Sequence, residues 1–289
     1  MPKEPSLIDA HQHFWDPGDA GYSWMNGPFA PLRRTFGPPD LEPELELCGI
    51  DATVLVQSRN DIAETRQLLA IALETAWIAG VVGWVDLTDP AVSDTIASIR
   101  AAPGGRYLVG MRHLVHDEAD PDWLLRSDVH RGLQALEEAG LAFDLLVRRR
   151  ELPAALTVAR QFPGLRFVVD HLAKPSIRTG EIESWAGLIR DFHHLENVVC
   201  KISGLVTEAD WNAWQSNDFR PYIAEALDVF GSDRLMFGSD WPVCLLAATY
   251  EEVFQTAMGI LADLTGSDPV AALTACAVRT YRLAGCPQA

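Results

Sequence analysis

Three short segments concentrate the residues that could do chemistry in this 289-residue chain. Asp9-Ala10-His11-Gln12-His13 places a carboxylate and two imidazoles at every second residue. Residues i and i+2 of a strand point to the same face, so Asp9, His11 and His13 are expected to share one. Two imidazoles so placed can bind a divalent metal or donate hydrogen bonds to a carbonyl. Val169-Asp170-His171 adds a third imidazole, and Gly238-Ser239-Asp240 adds a carboxylate. With eight histidines in the chain, one His-x-His pair carries little weight alone. Convergence of His11, His13, His171 and Asp240 on one place carries much more.

Convergence needs elements that end together. Short apolar runs bounded by turn residues occur at 6–13, 52–57, 81–87, 107–114, 142–147, 166–172, 198–204 and 234–240. Their Val, Ile, Leu and Phe content suits strands covered on both faces. Helical signals lie between them. Asp61-Ile62-Ala63-Glu64 reads as a capping box opening an apolar-periodic stretch that ends at Gly80. Asp89-Pro90 reads as a cap followed by Pro at the first helical position. A helix over 121–139 is expected to stop at Gly140 in a left-handed cap. Pro163-Gly164 breaks the chain before the sixth strand. Strand and helix alternate eight times in a length typical of one barrel, so a (β/α)₈ TIM barrel over 1–289 is the expected α/β architecture. An open doubly wound sheet would carry a Gly-rich phosphate loop after its first strand, where this chain has His-Gln-His.

The chemistry of a barrel stands at the C-terminal ends of its strands. All four candidates fall at or near such ends. One connection is anomalous: residues 14 to about 39 hold five prolines and two tryptophans and show little helical periodicity. Loops that long are usually functional, and Trp15, Tyr22 and Trp24 suit a wall over the barrel mouth.

The composition is 48% hydrophobic and 22% charged, enough apolar residue for a large core. A net charge of −17 disfavours nucleic acid and anionic membrane as partners and leaves a small molecule as the expected one. Cys48, Cys200, Cys244, Cys276 and Cys286 form no C-x-x-C pair, which fits a reducing cytoplasm. No apolar leader or spanning segment stands out, so a cytoplasmic protein is expected, as a monomer or small homo-oligomer.

Ala10-His11-Gln12-His13-Phe14-Trp15-Asp16-Pro17, Asp170-His171-Leu172-Ala173-Lys174-Pro175 and Phe237-Gly238-Ser239-Asp240-Trp241-Pro242 resemble the amidohydrolase superfamily. The resemblance is nearest to its amidohydrolase-2 branch, among L-fuconolactonase-like and L-rhamnonolactonase-like members. It implies a distorted TIM barrel and a hydrolase opening a sugar lactone, with L-fucono-lactone or a close relative as substrate. The chain departs from metal-dependent members of the superfamily. Its fourth strand ends in Met111-Arg112-His113, its fifth offers Asp144, and no bridging Lys is evident. A two-metal centre is therefore not expected. One divalent metal, zinc, on His11, His13, His171 and Asp240 is an option that the reaction need not use.

Lactone opening needs a water nucleophile, a polarised carbonyl and a proton for the departing ring oxygen. Asp240 is the expected general base, and His11, His13 and His171 the expected stabilisers of the oxyanion. Gln57, Arg59, Asp86, Arg112, Asp144, Lys201, Trp241 and Trp24 are the expected substrate contacts, Arg112 first because a guanidinium can clamp a carbonyl or carboxylate. Asp170 is expected to face away from His171 in a structural role. His193-His194 is expected at the surface, and Trp211 and Trp214 on a helix packing face. The alternatives are a metal-dependent decarboxylase on the same barrel and a non-catalytic small-ligand-binding barrel, which would need no general base.

Overall fold

The computed structural model describes residues 7–18, 22 and 24–283; Ser6, expected in the first strand, and Cys286 lie outside them. Eight parallel strands follow one another in chain order round a single sheet. They are β1 Ile8–Gln12, β2 Ala52–Val56, β3 Ile78–Gly83, β4 Leu108–His113, β5 Ala142–Leu145, β6 Arg166–Val169, β7 Val198–Ile202 and β8 Leu235–Phe237. Beyond β8 the chain meets β1: His13 N–H donates to the Trp241 carbonyl at 2.7 Å, and Asp240 N–H to the His11 carbonyl at 2.9 Å. These bonds close the sheet into the expected (β/α)₈ barrel.

The helices are α1 Pro38–Cys48, α2 Ile62–Glu74, α3 Val92–Ala101, α4 Ser127–Ala139, α5 Leu152–Gln161, α6 Glu183–Ile189, α7 Leu205–Glu208, α8 Ser216–Phe230, α9 Tyr250–Thr265 and α10 Val270–Tyr281. Alternation along the strands divides two cores. Leu55, Val81, Phe143, Phe167 and Ile202 face the helices. Ile8, Ala10, Val54, Val82, Val168 and Val199 fill the barrel, joined by Cys276, Ala277 and Tyr281 of α10. Helix α10 thus closes the floor of the barrel, opposite the end where the candidate residues stand.

Four local expectations shift, each for a physical reason. Gly80 does not end a helix; it lies in β3, where a Cβ would come within 2.8 Å of Val109 Cγ2. Glu64 forms no capping box with Asp61. Its carboxylate instead accepts from Ser58 N–H at 3.0 Å and Arg59 N–H at 2.9 Å, holding the turn after β2. Asp89 accepts from Ala91 N–H at 2.8 Å in a turn, so α3 starts only at Val92. The helix before Gly140 starts at Ser127, after a 3₁₀ turn at Trp123–Leu125. Its end is as expected: Gly140 has φ +67°. The excursion after β1 contains a 3₁₀ turn at Gly27–Leu32 and a bridge between Trp15 and Phe36. Trp15 and Tyr22 are buried within it.

Strand β1 carries an irregularity between Asp9 and Gln12 that shifts its register against β2. Without it, Asp9 and His11 would share a face, as the two-residue period predicts. Instead Asp9 turns outward with no exposed surface. It accepts from Tyr250 Oη of α9 at 2.9 Å, Ser239 Oγ at 2.6 Å, and the N–H groups of Ser239 and His11 at 3.0 Å each. One carboxyl group thereby ties β1, the end of β8 and α9 together. Tyr250→Phe is expected to lower the unfolding free energy by about 1–3 kcal/mol. Urea denaturation checks this, and a change under about 0.5 kcal/mol would show that Asp9 finds another donor.

Candidate active site

The register shift brings His11 to the inside of the barrel with His13. His13 Nδ1 lies 2.7 Å from the Val56 carbonyl. A carbonyl oxygen only accepts, so Nδ1 carries the proton and Nε2 presents a lone pair. That lone pair faces His11 Nε2 at 3.2 Å and Asp240 Oδ1 at 3.3 Å.

His171 and Asp240 arrive by backbone turns. Strand β6 stops at Val169, and His171 takes φ +55°. The turn brings both Asp170 and His171 inward, against the expectation that they point apart. Asp240 takes φ +58° just beyond β8. Gly204, at φ +62°, leaves the space beside them: a Cβ there would lie 2.6 Å from His171 Nδ1 and 3.2 Å from Asp240 Oδ2. His171 Nδ1 pairs with Ser203 Oγ at 2.8 Å, and its ring centroid is 4.5 Å from that of His11.

Beneath the imidazoles lies a buried charge network. Lys201 Nζ is 2.6 Å from Asp144 Oδ2, 3.0 Å from Asp170 Oδ1 and 3.1 Å from His11 Nδ1. Arg112 Nη1 is 2.9 Å from Asp170 Oδ2 and 3.2 Å from His11 Nε2. Tyr281 Oη reaches up from α10 to Asp144 at 2.7 Å. Burial, aided by Lys201 and Arg112 and opposed by Asp170, holds the His11 imidazole well below its ordinary pKa. Burial does the same to His171, opposed by Asp240. Both stay neutral. Burial alone would raise the Asp240 carboxyl, but the groups around it, His171 first and the Lys174 ammonium among them, hold it below the usual carboxylate value. The site therefore sets one ionised carboxylate against neutral imidazoles.

The network opens into a cleft of about 330 Å³ whose lining includes His13, His171, Asp240, Arg112, Trp15 and Trp24. The long excursion after β1 supplies Trp15, Trp24 and Phe29 to its wall. The structure brings His11, His13, His171 and Asp240 together, with Arg112 and Trp24 at the cleft. The other expected substrate contacts are placed elsewhere. Asp144 and Lys201 form the buried pair below His11. The Gln57 side chain donates to the Arg112 carbonyl at 3.0 Å. Arg59 stacks its guanidinium 4.7 Å from the Tyr22 ring centre and pairs with Asp61. Asp86 accepts from Thr88 N–H at 2.9 Å, within its own turn. Trp241 packs edge-on against Phe14 and Phe36. His193 lies against the Val229 carbonyl at 3.1 Å, far in the fold from the barrel mouth.

Four titratable cleft residues escape the sequence reading: His116, Asp117, Arg148 and Lys174. Arg148 directly follows an apolar run, which is the signal that could have found it. His116 sits in a 3₁₀ turn at Val115–Asp117, two residues after its run, and offers none. Burial, followed by the charges of Lys174, Arg148 and Arg112, pushes His116 down to about 3.

With this geometry in hand, the comparisons are decisive: the sequence profile of the amidohydrolase family matches residues 8–283. The chain belongs to the amidohydrolase family. A relative from Burkholderia ambifaria, L-fucono-1,5-lactonase, is 42% identical over 84% of this chain and 82% of its own. The L-fucono-1,5-lactonase of Burkholderia multivorans is 40% identical over 85% of each. Among solved structures, an amidohydrolase from Burkholderia multivorans with bound zinc has a TM-score of 0.89 at 37% identity, covering 96% of this chain and 99% of its own.

Among the described residues two groups could hold a metal, His11 with Asp170 and His171, and His11 with His13 and Asp240; in the second the available atoms are His11 Nε2, His13 Nε2 and Asp240 Oδ1. Their separations are 3.2, 3.3 and 3.8 Å. Ligand atoms about 2.0–2.2 Å from a tetrahedral metal sit about 3.4 Å apart, so the set fits a divalent cation. The His13 lone pair and the ionised Asp240 are the donors such a cation needs. The packing at Gly204 yields a prediction. Gly204→Ala should lower turnover by at least about tenfold, because the methyl displaces His171 or Asp240 and such ångström shifts are costly. Near-wild-type turnover in the folded variant would show that the pair does not need its present spacing.

Proposed function

We propose that the chain hydrolyses a sugar lactone, with L-fucono-1,5-lactone as its substrate, at Asp240. The observation that carries this reading is the ionised Asp240 at the base of the cleft, facing neutral imidazoles and the Arg112 guanidinium. The amidohydrolase relatives named for L-fucono-1,5-lactone supply the substrate class.

Asp240 takes a proton from water as the water oxygen bonds to the lactone carbonyl carbon. The carbonyl electrons move onto oxygen, where Arg112 and an imidazole N–H stabilise them. His13 is not that donor, since its only proton is given to the Val56 carbonyl; its Nε2 accepts, and helps hold the water beside Asp240. The tetrahedral intermediate collapses, the ring C–O bond breaks, and Asp240 returns the proton to the departing alkoxide. The product is the open-chain hydroxy acid. Trp15 and Trp24 offer the sugar ring an apolar wall.

His11, His13 and Asp240 would hold a divalent cation, with zinc the proposed ion, and its contribution would be Lewis-acid polarisation of the carbonyl. The steps above use only the side chains of the protein.

Two outcomes test the reading. Asp240→Asn should lower kcat by about 10²–10⁴-fold with the fold intact by circular dichroism; turnover near wild type would remove Asp240 from the mechanism. Acid release from a panel of L- and D-aldonolactones, followed with a pH indicator, should peak on L-fucono-1,5-lactone in chelator-stripped protein. Rescue only by added zinc would make the metal essential. No acid release in either state, with carbon dioxide released from an aromatic acid, would put decarboxylation in its place.

A further inference from the structure

His11 is surrounded in an unusual way. Each of its ring nitrogens meets both a group that can only donate and a group that can only accept. At Nδ1 the donor is Lys201 Nζ at 3.1 Å, and the acceptor is Asp170 Oδ1 at 3.4 Å. At Nε2 the donor is Arg112 Nη1 at 3.2 Å. The acceptors there are His13 Nε2 at 3.2 Å and Asp240 Oδ1 at 3.8 Å. His13 Nε2 counts as an acceptor because its Nδ1 proton is given to the Val56 carbonyl.

A neutral imidazole has one proton and one lone pair. Two complete arrangements therefore exist without moving a heavy atom far. In the first, Lys201 donates to Nδ1, and Nε2–H points toward His13 and Asp240. In the second, Nδ1–H donates to Asp170, and Nε2 presents a lone pair. The geometry favours the first by its shorter Lys201 contact. It leaves the buried Asp170 Oδ1 with the shared Lys201 ammonium at 3.0 Å, and the second arrangement would add the His11 N–H to it.

The two arrangements differ in what they do. Only the first directs an N–H toward Asp240, where the reading above holds the lactone carbonyl. Only the second can bind a metal through Nε2, and metal-binding histidines do donate their other ring N–H to a carboxylate or carbonyl. We propose that Asp170 and Lys201 are positioning residues that select between the two tautomers of His11, so that a divalent cation at His11, His13 and Asp240 moves the His11 proton from Nε2 to Nδ1. No proton is gained or lost by the ring. The lactone half of this inference rests on the reading given above; the metal half does not.

Nitrogen-15 NMR on the whole protein with labelled histidine decides it, because protonated and bare ring nitrogens are resolved. His11 is assigned by its absence in His11→Asn. Chelator-stripped protein should show His11 protonated at Nε2, and one equivalent of zinc should move the proton to Nδ1. The same nitrogen protonated in both states, or no zinc uptake up to millimolar, overturns the proposal. Two variants separate selection from mere structure. Asp170→Asn should weaken zinc binding about 10–100-fold in a chelator competition. Lys201→Met should bind zinc at least as tightly as wild type and show Nδ1–H without it. Equal losses in both variants would make the pair structural and overturn the assignment. If Lys201→Met does not fold, the wild-type titration and Asp170→Asn decide alone. A protein that opens no lactone yet shows the proton shift keeps this inference and loses the lactonase reading.

Discussion

Lys201 carries an ammonium group into the barrel with no exposed surface. Desolvating such a charge costs several kcal/mol unless partners surround it. The partners reach it from three other strands around the barrel: Asp144 on β5, Asp170 at the end of β6, and His11 on β1. Arg112 on β4 answers the second face of Asp170, and Tyr281 of α10 answers Asp144. Five barrel elements and the floor helix thus meet around one ion. Removing any member leaves another buried and uncompensated, so the network fixes which strand residues face the axis and at what height. The imidazoles and Asp240 rest on top of it.

The same network explains why neutral histidines and an ionised carboxylate can coexist. Burial, aided by Lys201 and Arg112, holds His11 uncharged, while Asp170 absorbs the charge of these cations and is itself held well below the usual carboxylate value, against its burial, by Lys201 and Arg112. Asp240, one layer higher, keeps its negative charge beside His171 and His13. Acid–base roles are separated by position along the axis. The cleft is walled from the side by Trp15, Trp24 and Phe29 of the excursion between β1 and α1.

Much of the fold was legible in the sequence because parallel strands covered on both faces must be apolar runs. The order and number of strands followed from that, and so did the convergence of His11, His13, His171 and Asp240. What escaped was local backbone geometry. The bulge in β1 put Asp9 and His11 on opposite faces, and no residue pattern announces it. Strand β6 is two residues shorter than the distance to His171, and the left-handed turn that follows places Asp170 inward. Gly80 and Glu64 misled because a glycine also serves close strand packing and a glutamate can hold the preceding turn. Asp144 and Lys201 were correctly marked as strand-end polar residues, but sequence spacing could not say that they answer each other rather than the cleft.

The central claim is that Asp240 activates water against a lactone carbonyl held over this network. A crystal structure of the Asp240→Asn protein soaked with L-fucono-1,5-lactone tests it most directly. The account predicts an intact lactone ring in the cleft, its carbonyl carbon beside residue 240 and its carbonyl oxygen turned toward Arg112 and His11. A lactone bound with its carbonyl turned away from residue 240, or bound only outside this cleft, would contradict it.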